Sequence, residues 1–505
     1  MAPWKFMSTT ALVALVIGSA AQAQVTPEEV WTNWKATATA AGQTITTASE
    51  TREGPALVVS GIALTAGDAE VDASVKIDRI ALTDNGDGSV AVTMSDSYPL
   101  SIRAAGAAGA ADTLTNLTVS HPGLAIKVSG SAAEMRYDFT GPSLKVALQD
   151  VQSPDQAAVP TDMVAEFALT ALSGNYIVAG EGEAQTISSN AAADALSFIM
   201  KGTNPEDQSK IDLKLGVAKL AGTSTGKTVG MTGDLAAALK AGFAADGSFT
   251  YAGSTMDMVL AEATGETRVS ASASGGDATF GMDATRLGYG GTAKDVSLTM
   301  SGPEIPFPQL NIAYKEGGFD FVMPVAKSDA PAPFRFLTRL TGLTISDEIW
   351  GMFDPTGQLP RDPMTLVLDT KGTATLNVDL MDETALAAMG DAPPGALNSL
   401  DITALQLKAA GADITGSGGF TFDNSDLVTY GGFPAPTGKI SLKATGVNGL
   451  LDKLMAMGLV PEDQMMGARM MLGMFAKVDP ATPDTMTSDL EFKGKSFFAN
   501  GMQLQ

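Results

Sequence analysis

The 505-residue chain carries 32 Lys and Arg against 56 Asp and Glu, a net charge of −24, with no cysteine and a single histidine. That charge repels phosphate backbones and anionic surfaces, which argues against nucleic acid as a partner. Without cysteine there is neither a disulfide nor a lipid-modified thiol, and with His121 alone no ordinary zinc, copper or iron site is available, so neither metal nor cofactor is expected.

The first 23 residues read as a secretory signal. Lys5 gives the charged start, Ala11 to Ile17 (ALVALVI) the apolar stretch, and Ala21-Gln22-Ala23 the small-residue cleavage site, so that the mature chain begins at Gln24. The apolar stretch is shorter than the about 20 residues a membrane span requires. The expectation is a periplasmic protein with no integral span once the signal is removed.

A well-signed helix follows. Thr26 serves as N-cap, Pro27 takes the first helical position, Glu29 completes a capping box and Gly42 lies past the end. Its stripe of Val30, Trp31, Trp34 and Ala38 holds two of the four tryptophans, which predicts docking against the start of a sheet.

From there the dominant signal is alternation with period two, the mark of strands with one dry face and one wet face. Ala69, Val71, Ala73, Val75 and Ile77 alternate with Glu70, Asp72, Ser74, Lys76 and Asp78. The pattern recurs at Leu124/Ile126/Val128, Met135/Tyr137/Phe139, Leu144/Val146/Leu148 and Ile211/Leu213/Leu215/Val217. It returns at Ala374/Leu376/Val378/Leu380, Ile440/Leu442/Ala444 and Leu490/Phe492. Asp84 to Gly88 (DNGDG), His121-Pro122-Gly123, Gly141-Pro142 and Asp246-Gly247 read as the turns between strands. Further helices are expected at Ala191 to Lys201, Asp234 to Ala241, Phe334 to Leu340, Asp347 to Phe353, Glu383 to Met389, Gly449 to Met457 and Glu462 to Phe475.

The fold class expected is mainly β: long curved antiparallel sheets, forming a groove or a sandwich, with a few short capping helices. The chain divides into the signal at 1–23, a β-rich half over 24–250, and a second β-rich half with Met-rich helices over 251–505. Ser328 to Pro333 (SDAPAP) is the most linker-like stretch, equally readable as a surface loop.

Few residues invite chemistry. His121 precedes Pro-Gly and is expected in a solvated turn. The Gly-rich runs Leu287 to Lys294 and Gly416 to Gly419 lack phosphate-loop spacing and read as turns, and DNGDG lacks the alternating ligands of an EF-hand. No catalytic residue is assigned. The methionines are different: Met466, Met470 and Met474 fall at i+4 steps with Met471 and Phe475 beside them, a flexible stripe suited either to core filling or to an adaptable surface. These three are the candidate lining for an apolar ligand.

The C-terminal layout carries a resemblance. It consists of a strand from Lys439 to Ala444, helices containing Gly449-Leu450-Leu451 and Met465 to Phe475, and a strand ending in Phe498-Ala499-Asn500-Gly501, together with Phe334 to Pro363, which includes SDEIWGMFDPTGQLPRDP. This resembles an uncharacterised alphaproteobacterial periplasmic family, domain of unknown function 2125, itself distantly similar to AsmA-like envelope proteins. The resemblance implies a long curved antiparallel sheet and, by way of the AsmA-like relatives, an apolar groove associated with envelope lipids. It carries over no functional residue, and the chain is expected to depart from those relatives in retaining no membrane anchor once the signal is removed.

The function expected is therefore a non-enzymatic periplasmic envelope protein that holds lipid or another apolar ligand in a sheet groove. Two other classes compete with it, an outer-membrane β-barrel and a carboxylate-dependent hydrolase. Seven tyrosines are few for the aromatic girdles of a barrel.

Overall fold

The computed structural model describes residues 24–504, except 41, 68–69, 107–111, 154–161, 182–183, 230–234 and 391. The signal segment and the expected strand start at Ala69 lie outside these residues.

The strands join in one antiparallel sheet, 64% of the described residues against 13% helix. Successive hairpins lay the chain down as an up-and-down meander, with strands up to 20 residues long, as at Ala184–Thr203. Some passes are split into two collinear halves. Ala244–Tyr251 and Gly253–Glu262, for example, both pair with Lys210–Thr228, so the pairing is continuous across residue 250. The sheet is open: among the described residues its first strands pair only with Ala56–Gly67 at one end, and Met502–Gln503 pairs only with Ser496–Ala499 at the other. That order is not a closed barrel.

A line of interruptions crosses the sheet. Inside the long strands Gly61, Ala171, Lys219, Asp295 and Gly342 adopt left-handed backbone, with φ of 59°, 49°, 52°, 45° and 65°. Each shifts the alternation by one position, so the same face stays apolar on both sides of the kink. In Ala56–Gly67 the inward residues are Leu57 and Val59 before Gly61, then Ile62 and Leu64 after it, all in one core. Opposite them, Ile77 and Ile80 make the same three-residue step. Strict alternation read from the sequence therefore follows each strand correctly only as far as its kink.

Six helices are present among the described residues: α1 (Pro27–Ala40), α2 (Leu235–Lys240), α3 (Asp347–Phe353), α4 (Glu383–Met389), α5 (Val447–Ala456) and α6 (Glu462–Phe475). The capping box forms as expected, with Thr26 N–H donating to Glu29 Oε2 at 2.8 Å and Glu29 N–H to Thr26 Oγ1 at 3.3 Å. The two helices expected at Ala191 to Lys201 and Phe334 to Leu340 are strands instead. In the first, Leu196, Phe198 and Met200 alternate and pair on both sides, and this tertiary pairing overrides the helical preference of the alanine run. In the second, Arg335 and Arg339 occupy the outer face and pair with Asp320 and Glu316 at 3.2 and 2.8 Å.

Several expected turns also lie within strands. Gly141-Pro142 falls inside Glu134–Gln152, Asp246-Gly247 inside Ala244–Tyr251, Leu287 to Lys294 inside Arg286–Ser301, and Gly416 to Gly419 inside Ala412–Asp423. The glycines are there because neighbouring side chains need the space. A Cβ on Gly247 would come within 2.3 Å of the Phe280 ring, and one on Gly416 within 2.5 Å of Leu442. DNGDG does form a turn, closed by Gly86 N–H on Asp84 Oδ1 at 2.8 Å. Ser328 to Pro331 is a surface loop before the strand Ala332–Ile345.

Candidate functional site

Helix α1 covers the apolar face at one end of the sheet. Val30 and Trp31 pack there on Leu57, Val59, Ile62, Leu82, Val90 and Tyr137, among others. Trp34 stacks on Tyr137, whose ring lies 4.4 Å from that of Tyr176. The Tyr137 hydroxyl donates to Asn33 Oδ1 at 2.8 Å, and burial holds both tyrosines in the neutral form, Tyr176 pushed up to about 12. Trp31 Nε1–H donates to Glu50 Oε1 at 2.7 Å, and this bond, with Lys35 beside it, lowers the Glu50 carboxyl.

Beyond α1 the same face continues without that cover. Directly paired residues of antiparallel strands share a face, and a single ladder runs Val119, Val146, Phe167, Phe198, Leu215, Met256, Ala271, Leu298, Ile312, Ile345. At ~4.8 Å per strand, those ten strands give an apolar strip about 43 Å long. A parallel ladder holds Met200, Leu213, Met258, Val269, Met300 and Leu310. The reverse face is polar: Lys214, Asp257, Ser270, Thr299 and Asn311 succeed one another there.

The middle of this face is open. Phe167, Phe198, Leu215, Met256, Leu298 and Ile312 are half-buried, whereas the residues beneath α1 are buried. Above the line of kinks, Phe280, Tyr289 and Phe321 pair across three strands, and Phe280 and Tyr289 are exposed at 52% and 48%. At the kink itself Leu169, Leu172, Ala191, Ala193, Leu220 and Phe249 line an apolar depression of ≈310 Å³. The aromatic rings lie over glycines of the next strand, Phe280 on Gly247 and Phe334 on Gly372, which makes a smooth floor.

The other end of the face is occupied by helices again. The ladder Leu340, Leu366, Leu407, Ile414, Ala444, Met486 leads there, and α5 and α6 pack on the strand Thr482–Lys493 that holds Met486. Ser488 Oγ–H, on the same face, donates to the Phe475 carbonyl of α6 at 2.6 Å. Of the candidate methionines, Met466, Met470 and Met474 are exposed at 63%, 67% and 46%, while α6 is anchored by Met465. They are not core filling.

The position of His121 corrects the sequence reading. It is 3% exposed, its ring sits 5.3 Å from that of Tyr98, and its Nε2 has no partner. Its turn does not join two hairpin strands. It links Thr113–Ser120 to Ala125–Ser131, two halves of one pass against Glu134–Gln152, so it lies in the interior line of kinks. His121 N–H donates to the Asp96 carbonyl at 2.7 Å across that line. Among the described residues no group of three or more His, Asp or Glu is placed to hold a metal ion.

These features define a single-sheet β protein with one apolar face, capped by helices at its ends and open between them, and no helix of the described residues is long and apolar enough to cross a membrane. The chain belongs to a family described as an uncharacterized protein conserved in bacteria (DUF2125), whose model matches residues 237–494, half of the sequence. No curated protein and no solved structure matches it.

Proposed function

We propose that the protein is a non-enzymatic periplasmic binder of acyl chains, held on the open apolar face between α1 and the α5–α6 pair. The observation that carries this reading is the ten-strand ladder from Val119 to Ile345, half-buried through its middle. An apolar strip of that length is far beyond the scattered apolar residues of an ordinary surface, and contiguous patches of this kind mark binding sites. Leucine, methionine and phenylalanine supply non-directional contact without buried polar groups, which suits flexible hydrocarbon rather than a hydrogen-bonding ligand. Met466, Met470 and Met474 extend the apolar surface beyond the sheet at its C-terminal end. The periplasmic placement rests on the signal-like residues 1–23, and the non-enzymatic reading on the residue types available.

A fluorescent fatty-acid probe tests it. Binding should be saturable and should weaken at least tenfold in Phe198→Gln/Leu215→Gln, whose fold is retained because both positions are only partly buried. Equal binding by wild type and variant, or no saturable binding by wild type, would refute the proposal.

A further inference from the structure

The C-terminal rim formed by α5 and α6, to which α3 is joined through the loop at Pro360, carries a second apolar surface, on solvent-facing helix sides rather than on the sheet. Met352 and Phe353 of α3, Leu459 after α5, and Met466, Met470 and Met471 of α6 are all more than half exposed, at 57–67%. Trp350 is buried and anchors α3, as Met465 anchors α6, so these exposed side chains are surplus to packing. The pieces are linked through the intervening loops. The loop after α3 brings Pro360 to 3.0 Å from the position of a Gly411 Cβ, the Gly411 carbonyl packs in turn against Gly446 at the start of α5, and Arg469 of α6 pairs with Asp452 of α5.

We infer that this rim docks the protein onto an electrically neutral lipid surface. The charges choose the partner. Asp347 is paired with Arg361 and Asp452 with Arg469, which leaves Glu348, Glu462 and Asp463 against Lys453, so the patch is net negative like the chain as a whole. A negative rim is repelled by anionic lipid and by a second copy carrying −24. Methionine side chains, flexible, polarizable and without a hydrogen-bonding requirement, conform to fluid hydrocarbon at the interface. The apolar ladder through Leu366 and Leu407, exposed at 42% and 48%, ends beside these helices, so the surface is continuous with the open face. The inference stands on the patch itself and does not require the open face to hold a ligand.

Flotation of the chain from Gln24 onward with phosphatidylcholine vesicles is the test, alongside Met466→Gln/Met470→Gln/Met471→Gln. Wild type should float, flotation should fall as phosphatidylglycerol is added, and the triple variant should lose at least fivefold with an unchanged thermal midpoint. Wild type that stays at the bottom of the gradient overturns the inference, as does a triple variant that floats like wild type. Sedimentation analysis separates the remaining case. A dimer that dissociates in the triple variant would make the patch an interface between copies.

Discussion

Leu82→Ala and Leu215→Ala form a matched pair of perturbations, because the two leucines sit on the same apolar face and differ in cover. Leu82 is 0% exposed beneath α1, whereas Leu215 is half-buried between Phe198 and Met256 in the open ladder. Truncating an enclosed leucine costs about 2.7–5.0 kcal/mol, from lost transfer energy plus the cavity left behind. At Leu215 only part of the side chain leaves water on folding and no closed cavity can form, so the cost should be about 1 kcal/mol. Urea titration followed by circular dichroism measures both, with the midpoint of Leu82→Ala shifting at least twice as far. Equal shifts would mean that something covers Leu215 and that the face is closed. A saturating acyl ligand should widen the difference between wild type and Leu215→Ala, since the ligand stabilises only a face that can bind it.

Other perturbations test the kinks and the charges. His121→Ala should cost about 1–3 kcal/mol in the same urea titration, since the ring is buried against Tyr98; a change below about 0.5 kcal/mol would return it to a surface turn. Gly61→Ala should destabilise by about 1–3 kcal/mol, because φ is 59° and its Cβ would meet that of Ala48 at 2.8 Å, whereas Ala171→Gly should be neutral or stabilising by up to about 1 kcal/mol. Acid should loosen the loop around Asp426. The Lys495 ammonium at 2.7 Å, with Thr429, holds this carboxyl below the ordinary carboxylate range. A depressed folded pKa gives stability that is complete above the ordinary range and is lost as pH falls from there through the lowered folded value, so Asp426→Asn should flatten the acid limb of a thermal midpoint profile.

The one-sided strands were legible because side-chain period two is imposed by the backbone itself, and the capped helix because its donors and acceptors lie within four residues. Of the helices, α3, α4 and α6 fall at the bounds expected from the sequence, and α2 and α5 within about two residues of them. The failures share one cause. Ala191 to Lys201, Phe334 to Leu340, the glycines at 247 and 416, and His121 all owe their conformation to strands distant in sequence. A glycine beneath Phe280 looks like a turn glycine until the neighbouring strand is known. The kinks were hidden for the same reason: a three-residue step between apolar positions, as from Val59 to Ile62, breaks the alternation without announcing that the face is preserved. The methionine stripe was visible as a stripe, but its exposure depends on Met465 taking the anchoring role.

Mass spectrometry of organic extracts addresses the central claim most directly, with the full-length protein purified from its native envelope without detergent. Acyl lipid should be recovered in stoichiometric amount from wild type and be depleted in Phe198→Gln/Leu215→Gln, while both proteins keep the same strand-rich circular dichroism. Recovery of no acyl lipid from wild type, together with urea shifts for Leu215→Ala as large as for Leu82→Ala, would show a closed structural core and contradict binding on an open face.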